Sequence, residues 1–287
     1  MTLGRIGIWS FLLARGPIDV ARELARHAER LGLGALWYPE TPVRRESLTA
    51  GAALLAATER IGVASGIASI WARDGVAAEN GARALNEAWD ARFTLGLGVS
   101  HAPSVASRGG DYRRPLSAMR AYLDAMDGVE GERAPRLLAA LAPGMLELAR
   151  DRADGAHTYF VPPEHTAVAR EALGAERTLA VEQAVVLEAD PERAREIARR
   201  HTVRYLSLPN YRNNLLRLGI EAADLDGGGS DALVDRIVAW GGEEAVAGRV
   251  RAHLAAGADH VCVQVLTADD RSPLAELERL APTLLAL

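Results

Sequence analysis

Length, composition and charge exclude several classes of protein. The chain has 287 residues, of which 49% are hydrophobic and 25% are charged, and this is ordinary for a globular protein with a substantial core. Its net charge is −5 and its arginines are scattered, which argues against a nucleic-acid-binding protein. All 33 basic residues are arginine, so a Schiff-base lysine and a P-loop lysine are both excluded.

The single cysteine and the apolar runs indicate where the protein resides. Cys262 has no disulfide partner within the chain and lies in the apolar run 260–266, which predicts a small buried hydrophobe. No apolar run approaches the roughly 20 residues needed to cross a bilayer. The first residues lead into a strand without a basic and then apolar leader. We therefore expect a cytoplasmic protein that acts on a small molecule and binds neither membranes nor nucleic acid.

Apolar strands and amphipathic helices alternate along the chain. Short apolar runs predict eight strands, at 5–10, 35–38, 61–70, 93–97, 136–141, 155–161, 179–187 and 261–266. Helical spacing and capping residues predict helices at 18–31, 47–58, 74–89, 115–126, 144–152, 163–173, 191–201, 243–256 and 273–285. Ser47, Asp74 and Asp190 are the predicted N-caps of three of these helices.

This alternation is interrupted once, after the seventh strand. Two further helices are predicted at 202–218 and 230–240, on either side of a turn that contains Gly227, Gly228 and Gly229. We treat residues 202–241 as an insertion that either caps a site or contacts a second subunit.

Eight strands, each followed by a helix, predict an α/β fold: a (β/α)₈ TIM barrel with a helical insertion between strands 7 and 8. We expect a single domain over residues 1–287. The run 261–266 does not alternate, which fits a strand buried on both faces. The main alternative is an open doubly wound sheet, but it needs a Gly-rich turn after the first strand, and residues 10–14 contain no glycine.

In such barrels the site lies at the carboxyl ends of the strands. Two runs of small residues suggest a phosphate-bearing cofactor: 64–69, in the middle of the third predicted strand, and 142–145, where the fifth strand runs into a helix. The first run either lets a flat ring approach the backbone or packs tightly inside the barrel. The second is either an ordinary helix start or an anion site in which free N–H groups meet a phosphate.

Protein-only chemistry has little support in the sequence. The histidines are dispersed, and there is no Gly-x-Ser-x-Gly nucleophile elbow and no complete dinucleotide fingerprint. A wide site with few reactive groups is what a bound redox cofactor requires.

Five motifs, in this order, resemble the luciferase-like monooxygenase superfamily. They are 35–40 (Ala-Leu-Trp-Tyr-Pro-Glu), 61–70 followed by Ala72-Arg73-Asp74, 93–101 (Phe-Thr-Leu-Gly-Leu-Gly-Val-Ser-His), 145–149 leading to Ala153-Asp154-Gly155, and 256–261 (Ala-Gly-Ala-Asp-His-Val). Together they cover nearly the whole chain. Within the superfamily the chain resembles the actinobacterial oxidoreductases that use the deazaflavin cofactor F420.

The resemblance implies hydride transfer between F420 and an organic substrate, in a homodimer. It also implies a cis peptide bond at Gly66–Ile67 behind the ring, a phosphate near 142–145, and His101 facing the ring. The residues expected to contact the cofactor are Gly66, Ile67, Ser69, Gly98, Ser100, Ala142, Pro143, Gly144 and Met145. Some F420 enzymes carry a Glu near His101 and an Asp-His pair after strand two. This chain has His101 and Pro39-Glu40 instead, so no particular alcohol or sugar-phosphate activity carries over.

Two residues are candidates for moving a proton. His101 comes first, because its ordinary pKa of about 6.5 suits either direction of transfer; alternatively it only hydrogen-bonds the cofactor or a loop. Glu40 comes second, and the alternative is a salt bridge to Arg44 or Arg45.

Other residues have weaker predicted roles. Three tryptophans either wall the substrate cavity or pack between barrel and helices: Trp9, Trp37 and Trp71. Three arginines of the loop after strand four either attract an acidic cofactor tail or are solvated: Arg108, Arg113 and Arg114.

Two other functions stay open at this point. One is an FMN-dependent luciferase-like monooxygenase that uses oxygen and a partner reductase. The other is a cofactor-free barrel that only binds a ligand. Bulky residues filling the approach to strands three and four would indicate the second, and Gly66, Gly96 and Gly98 argue against it.

Overall fold

The computed structural model describes residues 3–287, and its strands are short and buried. They are β1 (Ile6–Trp9), β2 (Ala35–Tyr38), β3 (Gly62–Ser65), β4 (Ala68–Ser69), β5 (Phe93–Gly98), β6 (Arg136–Ala139), β7 (Gly155–Thr158), β8 (Thr178–Val186), β9 (Ala239–Trp240) and β10 (His260–Val265).

Helices follow the strands on the outside. They are α1 (Leu12–Arg15), α2 (Ile18–Arg30), α3 (Ser47–Leu55), α4 (Gly75–Ala88), α5 (Ala102–Ala106), α6 (Pro115–Asp127), α7 (Pro143–Arg152), α8 (Pro163–Leu173), α9 (Pro191–Leu206), α10 (Pro209–Arg217), α11 (Asp231–Ile237), α12 (Glu243–Ala255) and α13 (Leu274–Leu285). A 3₁₀ segment, Ala222–Gly228, lies between α10 and α11. No described helix is both long enough and apolar enough to cross a membrane.

All strand pairs are parallel and the sheet closes on itself. Its order is β10-β1-β2-β3-β5-β6-β7-β8, and β8 pairs with β10 to complete the circle. The short strands β4 and β9 pair with β5 and β8 respectively. The predicted (β/α)₈ barrel is therefore confirmed, and the closing pair rules out the open doubly wound sheet.

The third predicted strand is broken in the structure. The sequence predicts one strand over 61–70, but β3 ends at Ser65 and β4 begins at Ala68. The Gly66–Ile67 peptide bond between them is cis, at the position that the family resemblance implies. The Ser65 hydroxyl takes over part of the pairing with β5, since it donates to the Gly96 carbonyl (2.8 Å) and accepts from the Gly96 N–H (2.9 Å).

The predicted helix ends need three corrections. Helix α9 continues to Leu206 instead of stopping at 201, and Trp240 belongs to β9 rather than to a helix. The N-cap of α3 is Glu46, whose carboxylate accepts from the N–H groups of residues 48 and 49, because Ser47 already lies inside the helix. Asp74 and Asp190 are N-caps as predicted. Helices α1 and α5, of four and five residues, are too short to leave a periodic pattern.

Inward and outward side chains of the strands differ in character. Outward residues such as Leu36, Val63 and Val181 are aliphatic and pack under the helices. Inward residues include Trp37, Cys262 and a set of polar groups within the barrel. The barrel interior is thus where ionisable chemistry is concentrated.

Candidate active site

A cavity of about 700 Å³ opens at the carboxyl ends of the strands. Its walls come from the loops after β1, β2, β3, β5 and β6, and from helices α9 and α10 on the remaining side. The side chains from α9 and α10 include Arg204, Tyr205, Tyr211 and Arg217. The insertion therefore forms one wall of the cavity, which is one of its two predicted roles.

The floor of the cavity is an aromatic and imidazole layer. Trp9 lies in the floor and donates through Nε1 to the Gly66 carbonyl (3.2 Å). Below it, Trp37 stacks on His157 with ring centroids 4.3 Å apart and donates through Nε1 to Nε2 of His260 (2.9 Å). Of the three predicted wall tryptophans, only Trp9 lines the cavity. Trp37 is buried beneath it, and Trp71 lies behind the wall, where it donates to the carbonyl of the lining residue Val99 (3.0 Å).

Burial keeps these histidines neutral. It lowers the pKa of His157 to about 3 and that of His260 to about 4. His157 Nδ1 lies 3.3 Å from the Ala180 carbonyl, which can only accept, so Nδ1 carries the proton. The Nε2 of His157 is then a buried acceptor without a partner.

Protein packing alone accounts for the glycine between β3 and β4 and for the two glycines of β5. A Cβ on Gly66 would lie 2.7 Å from Trp9 Nε1, and one on Gly96 would lie 1.9 Å from the Ser65 carbonyl oxygen. A Cβ on Gly98 would lie 2.5 Å from the Ile67 side chain. These glycines would be needed with or without a bound ring, so they do not argue against a cofactor-free barrel as the sequence reasoning supposed.

Nine of the eleven predicted site residues line this one cavity. They are Glu40, Gly66, Ile67, Gly98, Ser100, His101, Ala142, Gly144 and Met145. Ser69 and Pro143 do not line it, and their contact with a cofactor stays a prediction. Ser69 is buried behind the wall, where its N–H donates to Glu40 and its hydroxyl accepts from the Trp71 N–H (3.3 Å). Pro143 occupies the first turn of α7 and has no N–H to offer.

His101 is the N-cap residue of α5 and lies partly buried in the cavity wall. Burial lowers its pKa below the ordinary value of 6.5. Its ring centroid is 5.6 Å from that of Tyr211, and its Nδ1 is buried without a hydrogen-bond partner. A neutral imidazole with an unpartnered nitrogen is suited to accept a proton from a bound molecule.

The Glu40 carboxylate is already fully engaged. It accepts from the Ser47 N–H (3.2 Å) and the Ser69 N–H (2.7 Å), and it forms an ion pair with Arg73. The alternative salt bridge to Arg44 or Arg45 is therefore corrected. Arg45 instead donates to the carbonyl of Gly16 (2.8 Å). Arg73 reaches Glu40 because the break between β3 and β4 turns the chain over the end of β2.

The arginines at the cavity differ from those predicted. Arg108, Arg113 and Arg114 do not line it, and Arg113 instead pairs with Asp111 at the surface. Arg15, Arg204 and Arg217 line it. Sequence reasoning missed these three because they come from helices rather than from strand ends.

The start of α7 offers one free donor. The Met145 N–H already donates to the Ala142 carbonyl (3.0 Å), so among the first residues of α7 only the Gly144 N–H has no backbone acceptor. Arg217 supplies positive charge on this side, and its charge contributes to lowering the pKa of His165, whose ring contacts the Leu141 carbonyl at 2.9 Å. The turn at 142–145 therefore offers one N–H rather than several, and Arg217 lines the same cavity; that an anion binds there stays a prediction.

The sequence did not predict that a cluster of tyrosines forms beside the cavity. The Tyr159 hydroxyl lies 2.8 Å from that of Tyr205 and 2.7 Å from Gln264 Oε1. Below it, burial raises the pKa of Glu182 to about 8, with the Phe160 N–H as one hydrogen-bond donor. Tyr159 and Gln264 were visible as strand-end residues, whereas Tyr205 belongs to the insertion. Over residues 3–287 there is no cluster of side chains able to hold a metal ion.

An aromatic cavity at the carboxyl ends of the strands of a closed parallel barrel is the arrangement of a (β/α)₈-barrel enzyme. The chain belongs to the luciferase-like monooxygenase family, whose model matches residues 5–260. Members of this family are oxidoreductases. No curated protein is significantly similar to the chain in sequence.

Solved structures of similar fold include users of both cofactors considered above. A coenzyme F420-dependent tetrahydromethanopterin reductase from Methanopyrus kandleri has a TM-score of 0.80 and 15% identity, covering 99% of each chain. An F420-dependent secondary alcohol dehydrogenase, in complex with an F420-acetone adduct, has a TM-score of 0.76 and 14% identity, covering 98% of this chain and 99% of its own.

An FMN enzyme is comparably similar. The oxygenating constituent of 3,6-diketocamphane monooxygenase from Pseudomonas putida, a type II Baeyer-Villiger monooxygenase in complex with FMN, has a TM-score of 0.71 and 15% identity, covering 98% of this chain and 96% of its own. At these identities the likeness shows the fold alone. The fold does not distinguish between the two cofactors.

Proposed function

We propose that the protein is an oxidoreductase that transfers a hydride between the deazaflavin F420 and a small organic substrate. The observation that supports this best is that Ile67, the neutral His101, Gly144 with its free N–H and Arg217 all line one cavity. The motifs that resemble F420 enzymes favour F420 over FMN.

The residues present fit such a cofactor. The cavity of about 700 Å³ is within the range of ligand sites, roughly 300–1,000 Å³. Two buried nitrogens without partners, His101 Nδ1 and His157 Nε2, belong to residues that line it, so a ring carrying polar groups would satisfy them. Gly144 and Arg217 would hold the phosphate. When bound, F420 supplies a ring carbon that accepts or gives a hydride.

His101 is proposed to handle the proton. Because its pKa is lowered, it is neutral near pH 7 and accepts the proton that a substrate hydroxyl or amine releases on oxidation. In the reverse direction the imidazolium returns that proton to the substrate. Ser100 and Gly98 place the imidazole at the end of β5.

Glu40 is proposed as a positioning residue rather than a proton carrier. Its N–H donates to the Ile67 carbonyl (3.0 Å) and its carboxylate accepts from the Ser69 N–H, so it binds both sides of the break between β3 and β4. With Arg73 as its ion-pair partner, the carboxylate has no free position for a substrate proton.

The test is a calorimetric titration of the purified protein with F420 and, separately, with FMN. We expect micromolar binding of F420 and much weaker binding of FMN. Arg217→Gln should weaken F420 binding about tenfold, as expected for a lost charge-assisted hydrogen bond. The matched control Arg251→Gln, on the exposed face of α12, should leave it unchanged.

The other two functions are outcomes of the same titration. Tighter binding of FMN would favour the oxygen-using monooxygenase, which the likeness to the FMN-bound structure supports, and oxygen uptake would be measured next. Binding of neither would sink the redox proposal and leave a ligand-binding barrel. If F420 binds, His101→Ala should keep its affinity and lower kcat by about 10²-fold or more.

A further inference from the structure

Two arginines share one side of the cavity around a single aromatic ring. The guanidinium carbons of Arg15 and Arg204 lie 4.5 and 5.1 Å from the centroid of the Phe11 ring. Arg15 ends α1 and Arg204 lies in the last turn of α9, so two separate elements converge on this point. All three residues line the cavity.

This pair carries a charge that the protein does not balance. Within residues 3–287, no carboxylate lies within 4.0 Å of either guanidinium, whereas Arg73, which lies behind the cavity wall, pairs with Glu40. The Arg15 Nε donates only to the hydroxyl of Thr41 (3.3 Å). Burial, and next the charge of Arg204, lowers the pKa of Arg15, which nevertheless stays protonated.

The acidic groups that face the cavity do not supply the missing charge. Glu40 is the one carboxylate among the lining residues of the described chain, and it is engaged by Arg73, which also pairs with Glu46. Glu182 lies beneath the tyrosines, and burial raises its pKa to about 8, so it is protonated near pH 7. A bound anion would therefore relieve the repulsion between two neighbouring cations.

The pair lies across the barrel from the anion site proposed for the cofactor phosphate. In the closed order of strands, β1, which precedes Arg15, and β6, which precedes the 142–145 turn, are four positions apart in a ring of eight. Arg217 already serves the β6 side. The surroundings of Arg15 are instead the 41–43 loop after β2 and the aromatic rings of Trp9 and Phe11, whose centroids are 4.8 Å apart.

We propose that Arg15 and Arg204 bind a carboxylate carried by the organic substrate, whose apolar part lies against Phe11 and Trp9. This inference rests on the proposed function and adds the substrate class: a carboxylic acid with an aromatic or aliphatic body. A guanidinium group forms charge-assisted hydrogen bonds to carboxylate oxygens, and the Phe11 ring that both arginines contact supplies apolar contact.

The test uses matched carboxylates and carboxamides: benzoate and benzamide, cinnamate and cinnamamide, octanoate and octanamide. Binding to the full chain is followed by calorimetry and by tryptophan fluorescence, since Trp9 neighbours Phe11. The titration is done with and without F420. In at least one pair we expect the carboxylate to bind ten times more tightly than the amide. Arg15→Gln and Arg204→Gln should each weaken that carboxylate at least tenfold.

Two controls separate this proposal from the cofactor proposal. Arg251→Gln should change the affinity for neither ligand. Arg217→Gln should weaken the binding of F420 but leave the affinity for the carboxylate within twofold of the wild type. Thermal unfolding checks that each variant is folded. Failure of F420 to bind would end the cofactor proposal alone, because the carboxylate titration without cofactor stands by itself.

Three results would overturn the inference. The first is that, in all three pairs, the carboxylate and the amide bind equally tightly or neither of them binds. Another is tighter binding of inorganic phosphate than of any carboxylate, which would indicate a phosphate ester. The third is that Arg15→Gln and Arg204→Gln weaken F420 but not the carboxylate, which would assign the pair to an acidic tail of the cofactor.

Discussion

The inside of the barrel has two halves that treat charge in opposite ways. In the closed lower half, Trp37, His260 and Glu182 are buried and uncharged near neutral pH. In the open upper half, three arginines face a cavity with no free carboxylate among its described lining residues. The same strands build both halves.

This difference follows from the cost of desolvation. An ion without water or a partner is too costly in the lower half, so proton gain or loss removes the charge. In the upper half, water solvates a cation until a ligand arrives, so unbalanced charge is tolerable. Charge that a protein leaves unpaired beside a cavity therefore indicates where a ligand of opposite charge binds.

Acid should have the largest effect, because it forces charge into the lower half and its surroundings. Burial lowers the pKa of His157, His201 and His253 to about 3, and that of His260 to about 4. In the unfolded chain these residues titrate near 6.5, so the unfolded state binds more protons between these values. Each histidine then removes about 1.4 kcal/mol from the free energy of unfolding per pH unit below 6.5.

We expect loss of the folded state on acidification, measured by urea unfolding between pH 7 and pH 4. His201→Gln should reduce the slope of the free energy of unfolding against pH by the contribution of about one proton. Constant stability from pH 7 to pH 5 would show that the lower half tolerates charge.

Removing the ring at the centre of the lower half should have the next largest effect. Trp37→Ala deletes a fully buried indole, its stacking on His157 and its hydrogen bond to His260, so we expect a loss of about 3–5 kcal/mol in the free energy of unfolding. The control Trp240→Ala, at a partly exposed ring that bonds Asp235, should cost clearly less. Similar losses for both variants would contradict the comparison.

Glu182→Gln tests the same half from the alkaline side. The carboxyl pKa rises from 4.5 to about 8 on folding, so the folded state binds more protons between these values and stability falls as pH rises through them. The amide cannot ionise, so the variant should gain on the order of 4 kcal/mol over the wild type at pH 8 and about 1 kcal/mol or less at pH 5.

The control for this prediction is Glu79→Gln. Glu79 is equally buried but accepts from Arg83 (2.8 Å) and from the Ala134 N–H (2.7 Å), so its charge is balanced. This variant should lose stability at both pH values. A gain from Glu182→Gln that does not depend on pH would contradict the assignment of a protonated carboxyl.

The smallest effect should come from the upper half. Arg15→Gln combined with Arg204→Gln removes two cations that no carboxylate of the described chain balances, so we expect a change within about 0.5 kcal/mol in unfolding free energy without ligand. Thermal and urea unfolding at low salt would measure it. A loss of several kcal/mol would mean that the pair is structural rather than kept for a ligand.

The barrel could be predicted from local features of the sequence. Apolar runs without alternation, amphipathic helices and the caps at Asp74 and Asp190 are local features, and each of them reports directly on burial or on an N-terminus. The family resemblance also implied the cis bond at Gly66–Ile67, and nine of the eleven predicted site residues line one cavity in the structure. The homodimer, the cytoplasmic location and the roles of these residues stay predictions.

Which charged side chains lie close together could not be predicted and is known only from the tertiary structure. Glu40 pairs with Arg73 rather than with its sequence neighbours Arg44 and Arg45, because the break after β3 brings Arg73 over the end of β2. Arg15 and Arg204 are 189 positions apart in the chain and meet at Phe11 only because α9 folds back over the barrel mouth. Pattern along a chain reports burial, whereas ion pairs and ligand sites depend on distances that only the closed barrel sets.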